Sequence, residues 1–391
     1  MSIAVIGGGV VGLSILRKLA ISLPSSIELF LFESSPYLGS QTTSRNSGVL
    51  HSSIYYPPSS LKESLCLRGN RLLTQYCEEH DLPLLHCGKT VVATNPSQLP
   101  YLSKLLSKTR PLLPHDSVTD LPSPSAVSSF EPNVAALAGI HFATTSVLDV
   151  PALIESLEAS CLAHPNVNIL TSSTVTSTSF DPFSSSWNLQ IAQGSSDYTV
   201  AASSVINAAG LSAPSISPAP EPAPKHYFCA GSWWRLSSPS LQPFNGLVYP
   251  VPTPDLSGLG VHATISPNGD AVKFGPDTTW LPPATPASAL GDFMNPEGSE
   301  EKKQLFVNAI ANYYPEIIDL DIVPDQVGIR PKLWHPDVPS LAGSARNDFA
   351  IETNYANAPR WIDCFGIESP GLTSAMAIAE HVHDLHRKQP I

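Results

Sequence analysis

Three glycines near the start of the chain have the spacing that diphosphate chemistry needs. Gly7-x-Gly9-x-x-Gly12 follows an apolar run over residues 3–6. Gly7 permits a tight turn, Gly9 lets the backbone approach a pyrophosphate, and Gly12 lets the next helix pack close on the strand. That helix, expected over 10–20 with Val10 and Val11 in its first turn, brings free N–H groups and a positive dipole end to the same point. A second apolar run over 27–32 ends at Glu33, where an acidic side chain meets the ribose hydroxyls of an adenosine. Strand, glycines, helix, strand and acid in this order specify an adenine-dinucleotide site. Far along the chain, Gly366-Ile367-Glu368-Ser369-Pro370-Gly371 turns into a helix expected over 372–386, with Leu372 and Thr373 in its first turn. Such an N-terminus is either an ordinary cap or a stabiliser of negative charge, for example on the N1/O2 edge of a reduced flavin. No second pyrophosphate fingerprint follows, as a separately bound nicotinamide would require.

The elements that hold these residues must come from distant parts of the chain. At 391 residues two domains are expected. Apolar strands of the parallel type fall at the start, at 167–175, at 198–206 before Asn207-Ala208-Ala209-Gly210, and at 361–365. Aromatic and β-branched runs over 225–274 read instead as an antiparallel sheet. The fold class is therefore α/β: a discontinuous Rossmann-type domain (1–84, 147–223 and 325–391) with an inserted substrate domain of mixed or antiparallel sheet (85–146 and 224–324). Amphipathic spacing predicts a helix over 61–80, and Asp149 before Pro151 caps another that ends near 163. Residues 85–94 read as one strand, 96–132 as a Ser/Pro-rich surface excursion, 291–314 as mostly helical, and 327–331 as a strand end entering a rigid turn.

Composition narrows the partners. Hydrophobic residues make up 42% of the chain, and the formal net charge is −12. That balance argues against nucleic acid or an anionic membrane surface. No apolar run reaches transmembrane length. The six cysteines form no CxxC pair and no metal-ligand spacing, which suits structural thiols in a reduced compartment. With the first strand beginning almost at Met1, the expected location is cytoplasmic.

Residues 41–56 (QTTSRNSGVLHSSIYY), 85–94 (LHCGKTVVAT), 247–263 (LVYPVPTPDLSGLGVHA), 328–333 (GIRPKL) and 366–380 (GIESPGLTSAMAIAE) resemble the L-2-hydroxyglutarate dehydrogenases. Those enzymes belong to the D-amino-acid-oxidase-like group of FAD-dependent oxidoreductases. The resemblance spans nearly the whole chain and implies FAD as cofactor. It also implies oxidation of a 2-hydroxy acid to the 2-keto acid by hydride transfer to the flavin. Its Gly-x-Arg-Pro makes Arg330 the residue that grips the substrate carboxylate, a task suited to a bidentate guanidinium fork. Loss of hydride requires the hydroxyl proton to leave, and His51 or His262 is the candidate base; the other binds substrate with Tyr56 and Tyr249. The cofactor contacts expected are Gly7, Gly9, Val10, Val11, Gly12 and Glu33, then Thr43, Ser44, Arg45, Asn46, Ser47, Gly48 and His51. Val175, Ala209, Gly210, Arg330, Gly366, Glu368, Ser369, Gly371, Leu372 and Thr373 complete the set.

Two alternatives stand beside this reading. An amine or D-amino-acid oxidase of the same fold would use the same Arg330 without a strong base, and a non-catalytic flavin-binding module would use only the cofactor contacts. Oxygen, a quinone and an electron-transfer protein are all open as electron acceptors. Ser53 departs from the family pattern, which has glycine there, and is expected to narrow the space beside the flavin ring or add a hydroxyl near it.

Overall fold

The computed structural model describes residues 1–219, 224–252, 260–339, 347–355 and 358–388; within the resemblance segment 247–263, residues 253–259 lie outside these. Strand Ser2–Ile6 is buried along almost its whole length because it runs inside a six-stranded sheet. Parallel neighbours pair on both sides of it, Glu28–Phe32 and Ser204–Asn207. Val167–Leu170 and Ala358–Phe365 extend the parallel set outward, and Ala350–Tyr355 closes one edge antiparallel. Buried on both faces, such strands are predominantly apolar; Asn207 and Asp363, the buried polar pair on neighbouring strands, are hydrogen-bonded to each other.

One face of this sheet is covered by the helices Val10–Ser22, Leu61–Glu79, Val150–Leu162 and Gly371–Lys388, which share a single core. Their starts follow local rules: Ser60 accepts from the Glu63 N–H, and Asp149 from the Ala152 N–H. The other face carries a three-stranded antiparallel meander, Thr174–Asp181, Ser186–Gln193 and Ser196–Ala202. It buries Trp187, Leu189 and Ile191 against Ala4, Ile6 and Trp361. Each large apolar side chain so buried contributes roughly 1.5–3 kcal/mol.

The single strand expected over 198–206 is therefore two strands in two layers. Ser203 is the crossing point, its N–H and hydroxyl both bonded to the Ser2 carbonyl. Periodicity carries no mark of a change of layer.

The second sheet is large and mixed. Its strands are antiparallel except where Leu247–Pro250 runs parallel to Lys89–Ala93. Residues 85–94 divide at Gly88, which has φ +67°, into Leu84–Leu85 and Lys89–Ala93. Residues 96–132 are no surface excursion. Helix Leu99–Thr109 buries Leu102 and Leu105, strand Val118–Leu121 joins the sheet edge, and helix Pro124–Phe130 buries Val127. Here Ser and Pro punctuate short elements, as Ser123 does in capping the third of them. Within 291–314 the α-helix is confined to Glu300–Ala311.

Pro331 ends no strand. Ile322–Lys332 runs through it, with Pro331 opposite Phe228 of Tyr227–Leu236. Among the described residues that is the strand's sole partner, so at an outer edge the missing proline N–H costs no ladder bond. Residues 325–332, grouped by sequence with the nucleotide-binding segments, thereby lie in the second sheet.

Candidate active site

Between the two sheets lies a cavity of about 230 Å³. At one end stands the glycine turn. Gly7 has φ +106°; a Cβ there would overlap the Ala208 carbonyl, and one on Gly12 would overlap the Gly7 carbonyl. These two glycines serve packing and do not line the cavity. Gly9, Val10 and Val11 do line it, and a Cβ on Gly9 would come within 3.1 Å of Thr43 Oγ1. No side chain of the cap residue and no acid in the first turn neutralises this helix start. Its N–H groups are thus open to an anion, apart from that of Val10, which donates to Thr43 Oγ1. Glu33 sits beside the turn, accepting from the Gly8 and Ser35 N–H groups at 2.7 Å each.

The segment after Glu33 supplies Thr43, Arg45, Asn46 and Ser47 to the lining. Arg45 Nη1 donates to the carbonyls of Met294 and Val327. Two expected contacts of this segment stand behind the wall. The Ser44 hydroxyl donates to the Ser40 and Gln41 carbonyls, and the Gly48 N–H donates to Asn46 Oδ1. Val175 packs in the core beneath the meander with Ala209 at its border, whereas Gly210 lines the cavity.

At the other end is the start of the final helix. Glu368, Ser369, Gly371, Leu372 and Thr373 line the cavity, while Gly366 lies behind them with its N–H donating to His226 Nε2 at 2.9 Å. The Glu368 carboxylate is already committed. Lys62 holds one oxygen at 2.8 Å and Lys332 the other at 2.6 Å, the side chains of all three being buried or nearly so. Burial works against its ionised form, but the two ammonium groups prevail and keep its carboxyl below the usual range. The triad ties the turn before the final helix to helix Leu61–Glu79 and strand Ile322–Lys332.

Arg330, His51, His262 and Tyr249 all line the same cavity. Arg330 Nη2 donates to the Ala230 and Asp277 carbonyls, and Nε to that of Cys229. A Cβ on Gly231 would press on Nη2 at 2.8 Å, so a glycine is needed beside it. With Nε and Nη2 spent, the fork expected from sequence is reduced to Nη1, which has no partner among the described residues. His51 donates its main-chain N–H to Thr373 Oγ1 at 3.0 Å, joining it to the final helix. Its Nδ1 is buried without a hydrogen-bond partner. Burial, and secondarily Lys89, pushes the ring down to about 3, so it is neutral at physiological pH. His262 stacks on Tyr249 with ring centres 3.7 Å apart and meets Trp233 edge-on. Its Nδ1 lies 3.4 Å from Thr264 Oγ1, and burial holds it well below the usual histidine value, helped by His51, Lys89 and Arg330.

Tyr56 stands off the lining, its hydroxyl 3.4 Å from Ser369 Oγ and its carbonyl bonded by Lys108. Ser53 is fully buried, has φ +61°, and donates to the Glu63 carbonyl at 2.9 Å. It lies outside the lining, so it narrows nothing there. Its left-handed backbone accounts for the glycine of the family pattern.

Sequence reasoning passed over Gly231, Trp233, Pro276 and Gly328, which also line the cavity, and Lys89 and Tyr55 behind it. Lys89 did carry a signal, as a lone charge opening the run Thr90-Val91-Val92-Ala93. Among the described residues no cluster could hold a metal ion, and no helix is long and apolar enough to cross a membrane.

The family model for FAD dependent oxidoreductases (DAO) matches residues 2–385. An Arabidopsis thaliana protein named mitochondrial L-2-hydroxyglutarate dehydrogenase is 31% identical, over 97% of this chain and 82% of its own. Relatives of the same enzyme name from Escherichia coli K12 and Homo sapiens are each 26% identical, covering 97% and 98% of this chain and 91% and 88% of theirs. In fold the chain is similar to the FAD-bound L-α-glycerophosphate oxidase of Mycoplasma pneumoniae, with a TM-score of 0.81 at 21% identity over 100% of this chain and 96% of that one. Glycine oxidase from Geobacillus kaustophilus has a TM-score of 0.75 at 19% identity, over 100% and 95%.

Proposed function

As the chain belongs to the FAD dependent oxidoreductase (DAO) family, we propose that it oxidises L-2-hydroxyglutarate, a small anionic substrate, to the corresponding 2-keto acid. The observation that carries this reading is Arg330. Its guanidinium is fixed by three main-chain carbonyls at the wall of a cavity that also receives two helix N-termini.

The residues present fit FAD. Gly9 leaves room where a Cβ would press on Thr43, and the uncapped start of helix Val10–Ser22 suits a diphosphate. The first turn of helix Gly371–Lys388, which holds no acid, suits the ring edge that becomes negative. Thr43, Asn46, Ser47 and Gly210 would hold the parts between, with Glu33 at the adenosine end. Bound there, FAD supplies the acceptor for the hydride that leaves the substrate's α-carbon.

Arg330 Nη1 holds the carboxylate next to that carbon through a charge-assisted hydrogen bond. The hydroxyl proton goes to the imidazole of His51, a residue of the cavity lining. A neutral imidazole can accept it, and the positive charge so formed is drawn to the substrate's carboxylate. His262 and Tyr249, stacked and flanked by Trp233, form an apolar wall that keeps water from the reacting centre and offers the hydroxyl a second contact.

Anaerobic addition of (S)-2-hydroxyglutarate to the FAD-loaded protein is expected to bleach the flavin absorbance and yield one equivalent of 2-keto acid. An unchanged spectrum across a panel of 2-hydroxy acids overturns the proposal, and bleaching by amino acids instead would make it an amine oxidase. Turnover with oxygen, a quinone analogue or an electron-transfer protein identifies the acceptor. Cytoplasmic residence belongs to the same proposal.

A further inference from the structure

Among the described residues, the cations around the cavity are accounted for, with one exception. Lys62 and Lys332 share Glu368, and Lys302 lies against Asp277 and Ser232. Arg45 and Arg330 are bonded to main-chain carbonyls. Lys89 is fully buried, and its Nζ has no acceptor among the described residues. What surrounds it are two aromatic faces, the rings of Tyr55 and Tyr249, each centred 4.9 Å from Nζ. Polar atoms left unpaired gather at the same place. The Tyr55 hydroxyl and His51 Nδ1 are buried without partners, and the Tyr249 hydroxyl approaches Thr264 without closing a hydrogen bond.

A buried ammonium without an anion destabilises the fold, and so does each buried polar atom left unpaired. Strand Lys89–Ala93 would be better served at its first position by an apolar residue, as at Val91, Val92 and Ala93. An anion arriving from the cavity removes the anomaly. Tyr249 and His51, the neighbours of Lys89, are lining residues, and the four-carbon lysine stem can carry Nζ past them. Burial brings the lysine down to about 7, so that an arriving carboxylate restores its full charge at physiological pH.

We propose that Lys89, with the Tyr55 hydroxyl beside it, receives the second carboxylate of a dicarboxylic substrate whose first carboxylate is held by Arg330. This rests on the hydroxy-acid reading above and makes Lys89 the residue that selects diacids over monoacids. L-2-Hydroxyglutarate and L-2-hydroxypentanoate differ in that one group, so the ratio of their kcat/KM values reads the site. The ratio is blind to any loss of folded enzyme.

In Lys89→Met the ratio is expected to fall about 100-fold, mainly through KM for the diacid, with partial recovery in Lys89→Arg. Tyr55→Phe should lower it about fivefold. A ratio unchanged in Lys89→Met, whether both acids suffer equally or neither does, overturns the proposal. Should the wild-type enzyme oxidise neither acid, the hydroxy-acid reading fails on its own. Titration of the FAD-loaded protein with glutarate and with pentanoate, followed by calorimetry, then decides about Lys89. A preference for glutarate that Lys89→Met abolishes supports the site, and equal affinities overturn it.

Discussion

Replacing Glu368 by alanine should destabilise the protein more than any exposed charge substitution could. The carboxylate bridges Lys62 at 2.8 Å and Lys332 at 2.6 Å, with side-chain exposures of 4% for Lys62, 17% for Lys332 and 6% for Glu368 itself. Its removal leaves two ammonium groups out of water without a counter-ion, at a cost of about 3–5 kcal/mol. At roughly 1.2 °C per kcal/mol for a chain of this size, the melting temperature should fall by about 4–6 °C. Differential scanning fluorimetry at pH 7.5 measures this, and Glu368→Ala/Lys62→Met/Lys332→Met should recover much of the loss, since an apolar triad buries no unpaired charge. The pH dependence has a definite sign. Although burial opposes ionisation, the lysines hold this carboxyl below its unfolded value of 4.5. The triad's contribution is thus complete above that value and lost as pH falls through the lower folded one. Wild type and Glu368→Ala should differ equally at pH 7.5 and pH 6 and converge only in acid. Because residues 369–373 line the cavity, FAD affinity should fall with stability. A melting temperature within about 2 °C of wild type would refute the view that the triad is buried and anchors the final helix.

Arg330→Met should lower kcat/KM for the hydroxy acid by about 100-fold or more while FAD absorbance is retained, since it removes a charge-assisted contact worth about 3 kcal/mol. Full activity in that variant would remove Arg330 from the site. His51→Ala should slow anaerobic flavin reduction at least 100-fold in stopped-flow traces, and an amine oxidase would be nearly indifferent to it. Ser53→Gly exchanges relief of a left-handed backbone, about 1 kcal/mol, for loss of a hydrogen bond of similar worth. Its melting temperature and diacid preference should stay near wild type, and a changed preference would return Ser53 to the substrate site. Below pH 6.5 stability should fall, because His51, His226 and His262 stay neutral in the fold, with values pushed by burial to about 3, about 4 and well below 6.5, while the unfolded chain takes up their protons. Each contributes up to about 1.4 kcal/mol per pH unit; melting temperatures flat from pH 7.5 to 5 would contradict this.

What the sequence determined by itself is short in range. Gly7, Gly9 and Gly12 announce a turn because backbone sterics act between neighbours, and the caps at Ser60 and Asp149 follow from bonds spanning three residues. The family resemblance named Arg330, the need for a proton acceptor singled out both histidines, and the fold places all three on one cavity. The tertiary structure decided which donors remain for use. Nη1 is the free nitrogen of Arg330 because carbonyls of a facing strand and a neighbouring turn take the others. Glu368 lines the cavity with its carboxylate held by Lys62 across 306 residues of chain, and the His51 main chain is bonded to Thr373 across 322. Ser203 passes the chain between layers where periodicity sees one strand, and Ser53, expected to crowd the flavin ring, lies outside the cavity lining with its hydroxyl on the Glu63 carbonyl. Pattern reports which face of an element is buried, not what lies opposite it. The partner of a buried charge is set by the path of the whole chain, and for Lys89 that path leaves a cation waiting beside the cavity.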